Sequence, residues 1–191
     1  MQADYKHDHF HGKFTRTQVD LMNKFRLLWE QHDVWTRATI VSLVFALPNV
    51  DPVTARLLRN PEDFEQVLQP FYGRRLAAGF RELLREHLVL AADIVVATKA
   101  GDENAAAEAK RLWYINAEEI AEFLGRINPF WSRREWRRLL FHHLDLVFDE
   151  AAFMLGGQFQ ASVDVYDEIE LQSLVMADTM SRGIIRQFNL R

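Results

Sequence analysis

Three histidines stand in this sequence where a helix would ordinarily place hydrocarbon. Leu21, Phe25, Leu28, His32 and Trp35 follow a helical period, so His32 takes an apolar position on a core-facing stripe. Phe80, Leu83, His87, Leu90 and Ile94 repeat the device, as do Trp136, Leu140, His143 and Val147. Asn116 does the same between Trp113 and Ile120. Near the C-terminus the spacing Val163, Asp167, Glu170, Leu174, Ala177 offers a stripe with two carboxylates one turn apart. Neutral imidazole is the commonest protein ligand for transition metals, and three of them with one carboxylate suit zinc, iron or manganese. The expected site is therefore one divalent ion on His32, His87, His143 and Asp167, with Asn116, Glu170 and Tyr166 orienting the ligands from behind. The same groups could hold a small polar ligand. They could also bond only to one another and to trapped water, fixing helix register in a non-catalytic module. An unpaired buried polar group costs about 1–3 kcal/mol, so the layer must be satisfied in some way.

Helices must carry these residues to one level. The first is expected from about Thr15 to Leu47, ending before Pro48. Asp51–Pro52 and Asn60–Pro61 each read as an N-cap with proline opening a short helix, and Pro70 closes that segment. A second long helix runs from Phe71 to Gly101, where Gly101–Asp102 pairs a C-cap with the next N-cap. The third stops near Asn128–Pro129, and Ser132 with Glu135 reads as a capping box for the fourth, which runs to Gly156–Gly157. The fifth spans roughly Ala161 to Phe188. No stretch alternates with period two, and no linker, internal repeat or low-complexity tract is evident. The fold class expected is all-α, a bundle of about five long helices with two short helices between the first and second. Residues 15–191 form one domain, preceded by a polar, histidine-rich segment at 1–14 that bears His7, His9 and His11. The histidines sit near the middles of their helices, and midpoints of packed helices share a level at about 1.5 Å rise per residue. A polar layer should cross the centre of the bundle.

Composition excludes several function classes. A net charge of −4 argues against a nucleic-acid partner. Cysteine is absent, which rules out disulfides, thiol catalysis and cysteine-ligated metals and suits a cytoplasmic location. The uncharged run 38–50 is too short for a membrane span, which needs about 20 residues. Glu-x-x-His pairs of di-iron bundles, the His-Glu-x-x-His zinc motif, phosphate loops and dinucleotide fingerprints do not occur. Arg133, Arg134, Arg137 and Arg138 form two i, i+4 pairs near a helix start, an alternative site for an anion or acidic partner. A homo-oligomer is a further candidate arrangement.

Several local motifs resemble a family of small bacterial helical proteins. They are the stretch Leu28 to Arg37 (LWEQHDVWTR), Pro70 to Gly73 (PFYG), Glu86-His-Leu88, Trp113-Tyr-Ile-Asn116, Asn128 to Ser132 (NPFWS), Tyr166 to Glu170 (YDEIE) and Gly183 to Phe188 (GIIRQF). The resemblance runs from about Phe25 to Phe188 and implies a single helical domain, without supplying catalytic residues. That family often carries the label acetylglutamate kinase, which does not suit this chain: amino-acid kinases are α/β proteins with glycine-rich phosphate loops.

Overall fold

A computed structural model describes residues 14–191; His7, His9 and His11 lie outside the described residues. Six helices follow one another: α1 Arg16–Val44, α2 Val50–Leu57, α3 Asn60–Ala100, α4 Glu103–Ile127, α5 Arg133–Leu155 and α6 Phe159–Gln187. No strand occurs among the described residues. The all-α expectation therefore holds. α3 is two limbs: Pro70 lies inside it, and Gly73 breaks the helix three residues later. With φ 74° and ψ 166°, Gly73 takes a conformation open to glycine alone at little cost. The second short helix and the second long helix of the sequence reading are these two limbs.

Caps set three of the six helix starts and the end of α3. Thr15 starts α1 with a complete capping box, its hydroxyl accepting from Gln18 N while the Gln18 side chain accepts from Thr15 N. Ser132 caps α5 through Glu135 N at 3.3 Å, which is half of the box expected there. Gly101, at φ 73°, ends α3, and Asp102 accepts from Ala105 N to begin α4. Asn60 is not an N-cap. It is the first residue of α3, fully buried, and its amide is used inside the bundle.

α1 packs on α2, α3 and α6, α3 on α4, α4 on α5, and α5 on α6. The succession closes on itself, since α6 returns to α1. Arg26 of α1 donates two bonds to Asp178 of α6, at 2.8 and 2.9 Å. Phe25, Phe64, Phe80, Trp131 and Trp136 fill the interior together with Leu68, Leu124, Leu144 and Met180. Gly183 lets Trp131 lie against α6: a Cβ there would sit 1.8 Å from the indole nitrogen, which donates to the Thr179 carbonyl.

An internal repeat emerges once the core is traced. His32, His87 and His143 recur at intervals of 55 and 56 residues, and Asn60, Asn116 and Gln172 at intervals of 56. Their neighbours keep step: Phe25, Phe80 and Trp136 on the first helix of each unit, and Phe64, Ile120 and Met176 on the second. All six are buried to 2% exposure or less. The bundle is three helical hairpins: α1 with the first limb of α3, the second limb of α3 with α4, and α5 with α6. Apart from these histidines and the leucines four residues before them, few positions keep one residue type in all three units, so the repeat is carried mainly by size and burial.

Candidate functional site

Each hairpin builds the same hydrogen-bonded unit. His32 Nδ1 lies 3.3 Å from the Asn60 amide oxygen, and Asn60 Nδ2 donates to the Leu28 carbonyl at 2.9 Å. His87 Nδ1 lies 2.9 Å from the Asn116 amide oxygen, and Asn116 Nδ2 donates to the Leu83 carbonyl at 3.1 Å. His143 Nδ1 lies 3.0 Å from the Gln172 amide oxygen, and Gln172 Nε2 donates to the Leu139 carbonyl at 2.9 Å. The carbonyl always belongs to the residue four before the histidine. Because the amide nitrogen is spent on a carbonyl, the amide oxygen can only accept, so the proton of each neutral imidazole sits on Nδ1. The lone pair is left on Nε2, the state a metal ligand requires.

Burial keeps these rings neutral. It pushes His32 down to about 4, aided by His87 and opposed by the Asn60 bond. Burial likewise pushes His87 and His143 down to about 3; the bonds to Asn116 and Gln172 oppose it, while neighbouring imidazoles add to it. All three rings are at most 3% exposed. The His32 and His143 ring centroids are 5.6 Å apart, and Trp29 lies against both, at 5.4 and 6.4 Å. Trp113 lies 5.3 Å from His87. The buried indole nitrogens of Trp29 and Trp113 have no hydrogen-bond partner.

The carboxylate nearest this centre is Asp33, which the sequence reading passed over. Ligating atoms of His32, Asp33 and His143 all lie within 4.8 Å of one another. His87 lies outside that group, although it is close enough for its charge to weigh on His32 and for that of His143 to weigh on it. Asp33 Oδ1 accepts from Ser173 Oγ at 2.9 Å, and Asp33 Oδ2 is buried without a partner. Burial raises the Asp33 carboxyl well above the usual range; Ser173 opposes this, and Glu30, Glu150 and Glu170 add to it.

Asp167 is exposed, so it cannot serve as the carboxylate assigned to it. The buried stripe of α6 is Ser162, Val165, Ile169, Gln172, Ser173, Met176, Ala177 and Met180, rotated by about one residue, or 100°, from the expected one. Val163 is 45% exposed for the same reason. Asn116 does hold His87, as expected of it, and Asn60 and Gln172 are its unrecognised counterparts. Glu170 and Tyr166 are half-buried and have no bond to a histidine. Tyr166 instead lies under the Arg37 guanidinium, 4.7 Å from the ring centroid. The signal for the missed amides is their constant offset of 28 or 29 residues after each histidine.

Beside Asp33, Arg37 pairs with the fully buried Glu150 and donates to the Ser162 carbonyl at 3.1 Å. Burial lifts the Glu150 carboxyl to about 7 against the opposing pull of Arg37. At the far arginine cluster, Arg133 and Arg137 both bind Glu118, at 2.8 and 2.5 Å, on an exposed face. Arg134 and Arg138 line an open groove with Phe141, His142 and Asp145. No helix among the described residues is long and apolar enough to cross a membrane. No family model matches the chain, and no curated protein or solved structure proved similar to it.

Proposed function

We propose that the protein binds one divalent transition-metal ion at the centre of its bundle, held by His32, His143 and Asp33. The observation that carries this reading is the thrice-repeated tether, which commits Nδ1 of every ring and leaves Nε2 as the basic nitrogen. A core needing only to be filled would do better with leucine, since each neutral imidazole must have its hydrogen bond supplied by a buried amide. The unpartnered Asp33 oxygen is free to ligate, and the carboxyl would supply negative charge on losing its proton to make room for an ion. Zinc, iron and manganese all suit two imidazoles and a carboxylate. Such an ion would act as a Lewis acid or redox centre; in either role the chain's own part is to hold the rings in one tautomer and exclude bulk water.

Elemental analysis of the full chain, purified without a tag, tests this. About one equivalent of metal is expected in the wild type and in a variant with His7, His9 and His11 changed to Ala. Occupancy should be lost in His143→Ala and kept in His87→Ala, with helical content followed in parallel. A metal content unchanged in His143→Ala overturns the proposal.

A further inference from the structure

The repeat gives an internal control for deciding which polar residues the fold requires. At the position of Asp33 the other two hairpins carry Leu88 and Leu144, both buried. Where the first has Arg37 the others have Ala92 and Phe148, and where the third has Glu150 the others have Ile94 and Thr39. Ser173 corresponds to Ala117 and Pro61. Charge is therefore concentrated on one of three equivalent seams, the one between α1, α5 and α6.

That seam leads outward. Glu30 and Asp33 lie one turn apart on α1, and Glu170 lies one turn before Ser173, which holds the Asp33 carboxylate. Glu30 and Glu170 are half-buried, whereas Asp33 is 2% exposed and presents an oxygen that no protein group satisfies. Among the described residues these carboxylates do not gather tightly enough to form a cation site of their own; the group that does contains Asp33 with two histidines. Acidic groups spaced from half-buried to fully buried, ending on an orphaned carboxylate beside imidazoles, suit passage rather than storage.

We propose that Glu30 and Glu170 form the access route for a divalent cation into the bundle, and that Asp33 is the first ligand of the site to receive it, ahead of His32 and His143. This rests on the metal-binding reading above, and the two are separable because occupancy reports one and rate the other. The test is stopped-flow uptake of Co²⁺ by the metal-free full chain, read by the absorbance of the bound ion. Glu30→Gln/Glu170→Gln should slow uptake at least tenfold at low salt and leave final occupancy unchanged. Added salt should slow the wild type and have little effect on that variant. Glu103→Gln/Glu119→Gln removes the same charge from exposed positions of α4 and should load at the wild-type rate. Equal rates for the seam variant and the wild type overturn the route while leaving the site standing, as does equal slowing by the α4 control. Failure of the wild type to bind Co²⁺ overturns both.

Discussion

The hairpin of His87 and the seam between α1, α5 and α6 use the same histidine–amide–carbonyl unit in opposite surroundings. His87 lies against Trp113 on a stretch whose buried members include Leu84 and Leu88, and among the described residues the only charged group on its tether is the exposed Glu86, which accepts from Asn116 at 3.2 Å. Around His32 and His143 stand Asp33, Arg37, Glu150 and Ser173. The first region shows that a buried imidazole needs nothing beyond its amide to be accommodated. The charges of the second are thus surplus to packing, and burying them opposes stability.

The contrast is sharpened most by breaking the ion pair. Measured well above pH 7, where Glu150 is ionised in the wild type, Arg37→Leu leaves it buried without its cation and should cost about 3–5 kcal/mol in urea unfolding, with much of that recovered in Arg37→Leu/Glu150→Leu. Next come the tethers. Asn116→Leu strips the buried His87 Nδ1–H of its partner, while the Leu83 carbonyl keeps its helical bond, and should cost about 1–3 kcal/mol. Gln172→Leu should cost a similar amount, and a much smaller loss there would mean the three units are not equivalent. Asp33→Leu, which copies Leu88 and Leu144, has the opposite sign. Removing a carboxyl with an unsatisfied oxygen should stabilise the fold by roughly 1–3 kcal/mol while abolishing metal occupancy.

The smallest effect is a slope. Unfolding below pH 6.5 frees imidazoles to take protons that they refuse in the fold until about pH 3–4, so the histidines cost stability as pH falls through that window. Glu150 works the other way. Its proton is held in the fold below about pH 7 but in the unfolded chain only below about 4.5, so its contribution is full in acid and lost as pH rises through 7. Glu150→Gln removes that counterweight. Between pH 6.5 and 5 its stability should fall more steeply than the wild type's, by about 1 kcal/mol per pH unit. Parallel pH profiles would show that Glu150 ionises normally.

The histidines were legible in the sequence because each occupies a helical stripe whose other members are hydrocarbon. Asp33 was not, for it sits one residue off the α1 stripe and gains its place only through Ser173, 140 residues away. Asp167 was misassigned because the true inner face of α6 is itself rich in small polar residues. Ser162, Gln172 and Ser173 make it no more apolar in appearance than the face carrying Val163 and Leu171, which are both exposed. The cores of the three hairpins differ in residue type at nearly every equivalent place, so periodic burial rather than identity carries the threefold plan.

The return of α6 to α1 brings the two described extremities together, where the Gln18 side chain donates to the Leu190 carbonyl at 2.8 Å. A ring of like units with adjoining ends has no obligatory first member. Severing the backbone at the exposed Pro129–Phe130 link between α4 and α5 and splicing residue 191 to the start of α1 would reorder the hairpins while leaving every tether inside an unbroken hairpin.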